Sequence, residues 1–435
     1  MIFLTKVVRA PNALGLISTC IRNLHITDTV WKLLEWCVIE PNDARLQQEP
    51  WTSSPLRIIV QRHVQRTALA NASMISLAGD ESIEATVYVV AAYDQVFGAQ
   101  PDTAEAIKAE LQQQCTLRST GGLESILLLH AGARMLLHGK DCALLGLMNG
   151  AEVEVLSIAI SASDQMLFDH TPEHVQDAST RLVTLKHMPE YVLCRSHCSK
   201  WILPRDMLPP NLPEGLDLRG VFVVRPVLSS KWKVDVSGYK YSVQRSQLPL
   251  TSASSRIVYG AQGESFTATI ADLSCPPKMD AHIFWLALYV MLTRSKSLEG
   301  LLLLRLPDRA ALSAGPPTSV TAEINRLEDL HAGTCKRLHA AMPQYFNGQL
   351  PPKLQHLFAS EAELQRTGHV IDWQDVDRRL AAALQEKLDP SFLLKSSSHH
   401  RPRQNFRQVF QFRPPSKIMR YPPQNVPVLS DCDCL

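Results

Sequence analysis

The most informative part of the sequence lies between residues 255 and 304. It reads VYGAQGESF over residues 258–266, IADL over 270–273 and LYVMLTRSKSLEGL over 288–301. The apolar runs at 270–273 and 301–306 have the length of buried strands, and a longer apolar segment separates them. This order of elements predicts an α/β domain with buried strands.

An upstream segment shows the same kind of pattern. Residues 57–60 read RIIV, a β-branched run typical of a buried strand, and residues 67–77 have helical spacing. The helical spacing predicts that Leu69 and Ile75 face the core. The segment is therefore predicted to form a β-α unit.

The first 24 residues allow two interpretations. They contain three basic residues, and no acidic residue precedes Asp28, which is typical of an organellar targeting peptide. The alternative is a core helix, because Leu14, Ile17 and Ile21 recur at helical spacing and a second helix can begin near Asp28. We favour the core helix.

Residues 127–250 change to short strands broken by turn residues. Glu152 and Glu154 alternate with valines that are predicted to face inward, so the two glutamates are predicted to face outward. Residues 231–244 show the same alternation on both sides of a Ser-Gly turn, which predicts a hairpin. Several such hairpins predict a small β-barrel inserted into the α/β domain.

The last part of the chain divides into a helical extension and a tail. Residues 313–390 have a helical pattern, with an apolar stripe from Val376 to Leu388. Residues 391–435 are predicted to be a disordered basic tail, because residues 396–430 hold six basic residues, six prolines and no acidic residue. Its interleaved aromatic residues suit phosphate clamping and base stacking, and a solubilising tail is the alternative.

Composition excludes several classes of protein. With 435 residues and 45% hydrophobic residues, the chain is long enough for two or three domains, and its net charge of +2 is not that of a globally basic nucleic-acid-binding protein. No apolar run has the length of a membrane span, so we expect a soluble protein. Ten scattered cysteines favour a reducing compartment. Cys194, His197 and Cys198 are fewer than the four ligands of a typical zinc site, so we predict no metal site.

These motifs resemble the C-terminal half of superfamily I DNA helicases, most closely the Pif family and its RecD-like relatives. In that family a Gln-Gly motif precedes an acidic-leucine strand end and then a Leu-Tyr-Val-Ala-Leu-Ser/Thr-Arg motif, in the order and spacing found here. Upstream, residues 128–137 with 146–151 resemble the strand pair that enters the family's small β-barrel, and residues 244–250 resemble its exit. Residues 57–71 resemble a further family motif. The resemblance covers residues 5–306.

The resemblance implies a role for each matching residue. Arg294 matches the catalytic arginine that contacts the γ-phosphate of the nucleotide from the second RecA-like domain, and Arg62 is a second catalytic candidate in the nucleotide cleft. Gln262 and Gly263, with Ser265 close by, match the turn that couples this cleft to single-stranded DNA. Because Arg294 follows an apolar run, we expect its guanidinium to be free to reach an anion.

The chain also departs from the family pattern. Tyr259 and Gly260 stand before Gln262 where the family usually has His-Lys or Asn-Lys. A basic phosphate contact is therefore missing, although Tyr259 can stack on a base instead. The phosphate loop Gly-x-x-x-x-Gly-Lys-Ser/Thr does not occur, since residues 333–336 lack the second glycine and the hydroxyl. We therefore expect the first motor domain to lie outside this chain.

The resulting fold class is α/β. We expect a second RecA-like helicase domain in two segments, residues 1–126 and 251–312, interrupted by the inserted small β-barrel at residues 127–250. The helical extension and the disordered tail follow, at residues 313–390 and 391–435.

The resemblance implies a Pif-type DNA helicase that translocates on single-stranded DNA and unwinds duplexes, with only its second motor domain present and inactive alone. It implies ATP and Mg2+ as cofactors, which require the missing first domain, and single-stranded or forked DNA as partner. A separate chain that supplies the phosphate-loop domain is a further partner, and no membrane is expected. The family suggests nucleus or mitochondrion and roles in DNA repair, recombination and telomere maintenance. A non-catalytic nucleic-acid-binding protein and a truncated, transposon-derived helicase fragment are the alternatives.

Overall fold

The computed structural model describes residues 12–78, 86–113, 120–139, 143–164, 182–197, 199–210, 212, 215–236, 238–341 and 371–388. The tail at 391–435, residues 1–11, Cys198 and part of the helical extension lie outside these ranges. The described helices are α1 (Ala13–Arg22), α2 (Asp28–Trp36), α3 (His63–Ala78), α4 (Pro101–Gln113), α5 (Ala281–Leu292), α6 (Arg309–Ser313), α7 (Thr318–Ala341) and α8 (Trp373–Leu388).

The strands occur mostly in the middle of the chain. They are β1 (Ile58–Val60), β2 (Val87–Ala91), β3 (Tyr93–Phe97), β4 (Ile126–Leu129), β5 (Arg134–Leu137), β6 (Glu152–Ala159), β7 (Leu182–Thr184), β8 (Tyr191–Arg195), β9 (Val221–Val224), β10 (Val227–Leu228), β11 (Trp232–Val236), β12 (Tyr239–Gln247), β13 (Leu250–Ser252), β14 (Ser255–Ile257), β15 (Thr269–Asp272) and β16 (Leu301–Arg305).

A four-stranded parallel sheet joins the upstream β-α unit to the segment at residues 255–304. Its order is β14-β1-β15-β16, and every pairing in it is parallel. Ile59 of β1 packs into one core, whereas Ile58 and Val60 pack into another core on the opposite face. Because successive side chains of a strand point to opposite faces, burial on both faces explains the uninterrupted apolar run at this strand.

Helices α1, α2, α5 and α8 cover one face of the parallel sheet. Leu14, Ile17 and Ile21 of α1 are fully buried there, which confirms the predicted core helix. In α8, Leu380 is also fully buried, and burial of one leucine contributes about 1.5–3 kcal/mol. Leu388, at the end of the predicted stripe, is 61% exposed because the helix ends there. None of the helices in the described ranges is long and apolar enough to cross a membrane.

The other described strands form two antiparallel sheets and one mixed sheet of order β4-β2-β7, in which β2 pairs with β7 in parallel. A five-stranded sheet has the order β13-β5-β6-β8-β9, and β12 pairs with β10, β11 and β3. The β11–β12 hairpin confirms the prediction for residues 231–244. Strands β2 and β3 lie before residue 127, yet they pair with β4, β7 and β12 of the predicted insert.

Two details differ from the predictions. The closed small β-barrel is not found in the described part of the chain, where the five-stranded sheet has a linear order ending in β13 and β9. Ile75 of α3 is 49% exposed, and Ala70 and Met74 are buried in its place. Ala70 and Met74 are four residues apart and therefore lie on the same face of α3, the face that is buried, whereas Ile75 lies outside it.

Gly300 permits the close approach of the chain that precedes β16. A Cβ atom at this position would lie 2.0 Å from the Thr267 carbonyl oxygen and 3.1 Å from Ser295 Oγ. We therefore predict that Gly300→Ala lowers the free energy of unfolding by about 1–3 kcal/mol, because backbone must move to relieve the clash. Urea denaturation measures the effect.

Gly260→Ala is the matched control, since its added Cβ would lie 3.7 Å from the Ile257 side chain, an ordinary contact. Its expected effect is within about 0.5 kcal/mol. Equal stability of Gly300→Ala and the unmodified protein would contradict the prediction.

Candidate functional site

The Gln-Gly turn follows the carboxyl end of β14. A short 3-10 turn runs over Val258–Ala261, and the backbone N–H of Gln262 donates to the Tyr259 carbonyl at 3.3 Å. Gly263 has a φ of +83°, a conformation that glycine adopts at little steric cost. The Tyr259 side chain is 71% exposed, and Gln262 is exposed beside it. The turn thus presents an aromatic ring and an amide to solvent.

Arg294 lies just past the carboxyl end of α5 and is only 8% exposed. Its Nε donates to the Val290 carbonyl at 3.0 Å, Nη1 to the Glu264 carbonyl at 3.1 Å and Nη2 to Thr293 Oγ1 at 2.9 Å. The expectation of a guanidinium free to reach an anion is therefore wrong for this structure. The last carbonyls of a helix lack intrahelical donors, and Arg294 satisfies one of them.

The structure joins the Gln-Gly turn to the segment around Arg294. The Phe266 amide donates to the Arg294 carbonyl at 2.8 Å, and the Lys296 amide donates to the Phe266 carbonyl at 3.0 Å. Ser265 is half-buried between these contacts and the turn. Gln262, Gly263, Ser265 and Arg294 consequently belong to one local unit.

Arg62 lies away from this unit. It is exposed in the turn between β1 and α3, past the carboxyl end of β1. Phe266 and Ser295 lie next to the Arg294 contacts and come just before β15 and β16. They therefore lie at the amino ends of these parallel strands, whereas Arg62 lies at the carboxyl end of β1. The two catalytic candidates therefore lie at opposite ends of the sheet.

Four charged residues next to the Gln-Gly turn form what we term the Glu152 cluster: Glu152, Arg57, Arg134 and Arg256. Glu152 Oε1 accepts from Arg57 Nη2 at 2.6 Å and from Arg134 Nη1 at 3.1 Å, and its Oε2 accepts from Arg256 Nη2 at 3.1 Å. Arg256 Nη1 also donates to the Glu264 carboxylate. The cluster connects β6 and β5 of the antiparallel sheet with the parallel sheet.

The arginines determine the charge state of Glu152. Burial raises the pKa of this carboxyl, but the charges of Arg57, Arg134 and Arg256 outweigh burial and hold the pKa below its ordinary value of 4.5. The Arg256 guanidinium lies 5.4 Å from the centroid of the Phe266 ring, a cation–π distance. Arg256 therefore contacts the Gln-Gly segment through both Glu264 and Phe266.

A second polar group lies at the carboxyl end of β15. The buried Asp272 accepts from Arg305 Nε at 2.9 Å and from Gln65 Nε2 at 3.3 Å. Gln61 Nε2 donates to the Ser274 carbonyl at 3.0 Å. Sequence reasoning singled out the acidic-leucine strand end at 272 and missed these partners, because they come from three separate elements.

The described residues do not fit ATP and Mg2+ by themselves. The turn between β1 and α3 contains no glycine to cradle phosphates, the donors of Arg294 contact its own chain, and Arg305 pairs with Asp272. Within the described ranges, no group of three or more His, Cys, Asp or Glu side chains is placed to hold a metal ion. We therefore derive no hydrolytic step from this site.

No protein-family model matches the sequence, and no curated protein matches it. Among solved structures, the chain is similar to Pif1 helicase from Candida albicans, with a TM-score of 0.41 and 17% identity over 74% of this chain and 59% of that one. It is similar to Pif1 helicase from Bacteroides in complex with ADP-AlF3 and ssDNA, with a TM-score of 0.42, 15% identity, and coverage of 75% and 56%. It is also similar to Bacteroides Pif1 bound to ssDNA, with a TM-score of 0.41 and 14% identity over 74% of this chain and 55% of that one. The chain thus spans less than two thirds of the length of these proteins.

The Glu152 cluster predicts a pH-dependent stability. We expect Glu152→Gln to lower the free energy of unfolding at pH 7 by about 1–3 kcal/mol, because three arginines lose their shared anion. The folded-state pKa of Glu152 lies below 4.5. The stabilisation is therefore present above pH 4.5 and is lost as pH falls through the folded-state pKa. Urea denaturation between pH 7 and strongly acidic pH measures it.

Glu154→Gln is the matched control, because Glu154 lies on the same face of β6 and pairs with the half-exposed His197 at 2.8 Å. Its expected cost is within about 0.5 kcal/mol. If the two variants lost equal stability at pH 7, the account of Glu152 as an anion shared by arginines would be wrong.

Proposed function

We propose that this chain carries the arginine-bearing, second RecA-like half of a Pif-type DNA helicase motor. The hydrogen bond from Arg294 Nη1 to the Glu264 carbonyl carries this proposal. It joins two motifs that lie 30 residues apart, in a sequence order that resembles the family, beside a four-stranded parallel sheet. The motor would require a phosphate-loop domain from outside these 435 residues, together with ATP and Mg2+.

The present contacts of Arg294 suggest how nucleotide would affect the turn. A phosphate oxygen offers charge-assisted hydrogen bonds that are stronger than those with a neutral carbonyl. Arg294 would exchange its contacts with the Glu264 carbonyl and Thr293 Oγ1 for such bonds, which releases the Gln-Gly turn at Glu264. Nucleotide contact at Arg294 and movement of the turn would then be coupled.

Single-stranded DNA is the proposed partner of the exposed end of this turn. Tyr259 stands where the family has His or Asn and offers a ring for base stacking, and Gln262 offers a side-chain amide for hydrogen bonding. The neighbouring Gly260 leaves the ring accessible. Forked DNA is a partner that the resemblance implies in the same way.

A non-catalytic nucleic-acid-binding protein is the second candidate. The observation that favours it is the burial of Arg294, whose three kinds of guanidinium nitrogen all donate to the chain itself. In this alternative, Arg294 stabilises the Gln-Gly turn permanently, and the turn binds DNA without responding to nucleotide.

The DNA proposal predicts that Tyr259→Ala weakens binding of a fluorescein-labelled oligothymidylate about tenfold, because a stacked base loses its platform. Fluorescence anisotropy gives the Kd. Tyr259→Phe retains the ring and should bind like the unmodified protein. Leu144→Ala, at a residue 98% exposed and outside the turn, is the control for surface truncation. Unchanged affinity of Tyr259→Ala would refute the proposed DNA contact.

The motor proposal predicts that the purified chain, with oligothymidylate, ATP and Mg2+, releases phosphate only at the rate of a protein-free blank. The reason is that Arg294 supplies transition-state charge but no cradle for the nucleotide. Arg294→Ala should release phosphate at the same blank rate. Turnover by the unmodified chain that Arg294→Ala abolishes would contradict the requirement for an external phosphate-loop domain.

A further inference from the structure

The sheet formed by β3, β12 and β11 has one covered face and one uncovered face. Helix α4 covers the first, where Ile107 and Leu111 pack against Val243 and Val96. Arg245 on β12 pairs there with Asp94 at 2.7 Å, and both side chains are 2% exposed. This buried ion pair fixes β3 beside β12 and orients the opposite face.

The opposite face carries an unusual combination of side chains for a solvent-exposed sheet. Phe97 lies directly across from Ser242, which in turn lies across from Lys233. Tyr93, Gln95 and Phe97 alternate along β3 and therefore share this face, where Tyr93 is 63% exposed. We term this surface the β12 face and define it by Tyr93, Phe97, Lys231, Lys233, Lys240 and Gln244.

Lysines and two aromatic rings lie on the β12 face. Lys231 Nζ lies 4.0 Å from the centroid of the Phe97 ring. Tyr93 lies on the edge strand β3, and Lys108 Nζ of α4 lies 6.0 Å from the centroid of its ring. Lys231, Lys233 and Lys240 are exposed, and Asp235, opposite Lys240, is the acidic residue of the hairpin. The face is therefore positive and offers two rings.

In the described part of the chain, no helix or strand makes an extensive contact with this face. The C-terminal tail is a poor occupant, because residues 396–430 contain six basic residues and no acidic residue. An occupant must instead carry regular negative charge and flat apolar groups. A single-stranded nucleic acid has both, since every nucleotide supplies a phosphate and a base with a π-face.

We propose that the β12 face binds single-stranded nucleic acid, with bases stacked on Tyr93 and Phe97 and phosphates contacted by Lys231, Lys233 and Lys240. Exposed sheets with aromatic residues on one face are a recurrent platform for unstacked bases. Gln244, at the centre of the face, donates its Nε2 to the Ser229 carbonyl at 2.9 Å and presents its amide oxygen to a base edge. The site is separate from the Gln-Gly turn and does not depend on the role of Arg294.

The experiment measures binding of fluorescein-labelled oligothymidylate to the full chain over a range of salt concentrations. Lys231→Gln combined with Lys233→Gln should weaken binding about tenfold at low salt. It should also reduce the slope of log Kd against log salt by about 1.4, because each phosphate contact to a single strand contributes about 0.7. Tyr93→Ala should weaken binding about tenfold, and Tyr93→Phe should not.

Lys186→Gln combined with Lys200→Gln is the matched control, since it removes the same charge from exposed positions outside the β12 face. Circular dichroism and urea denaturation establish that each variant is folded. Equal losses from the two lysine pairs, or full affinity of Tyr93→Ala, would overturn the proposal. Tighter binding of polyglutamate than of oligothymidylate, lost in the Lys231 and Lys233 variant, would also overturn it in favour of an acidic protein partner.

Discussion

The carboxylate of Glu152 accepts hydrogen bonds from arginines of both the antiparallel and the parallel sheet, and the arrangement of the site depends on this shared anion. Without it, Arg57 and Arg256 would place two buried positive charges next to each other at the start of neighbouring strands. Such charges are costly unless they are paired. The strand that carries Glu152 is thereby held against β14, from which the Gln-Gly turn departs.

This electrostatic contact extends to the proposed catalytic residue in two steps. Arg256 contacts Glu152 with one nitrogen and the Glu264 carboxylate with another, and the Glu264 carbonyl accepts from Arg294. The Gln-Gly turn is therefore held from one side by the five-stranded antiparallel sheet and from the other by the end of α5. A change in the hydrogen bonds of Arg294 would therefore reach the Gln-Gly turn through a continuous series of polar contacts. The exposed Tyr259 lies within that turn.

The sequence predicted those features whose periodicity is contained in neighbouring residues. Adjacent residues determine which face of an element is apolar. This allowed prediction of the helix at 13–22, the alternation in β6 and the hairpin of β11 and β12. The partners of an outward-facing residue are not contained in such a pattern. Arg57 and Arg256 lie 95 and 104 residues from Glu152, and the carbonyl that binds Arg294 lies 30 residues away. Barrel closure likewise depends on the pairing of distant edge strands, which alternation does not specify.

Hydrogen exchange at the Phe266 and Lys296 amides tests most directly whether the charged contacts hold the Gln-Gly turn against the Arg294 segment. These amides donate to the Arg294 and Phe266 carbonyls. Glu264→Gln removes the carboxylate charge that Arg256 contacts and leaves the backbone carbonyl in place. The account predicts faster exchange at both amides in this variant, with unchanged exchange at Val155 of β6, whose amide donates to the Ala133 carbonyl. Unchanged exchange at Phe266 and Lys296 would contradict it.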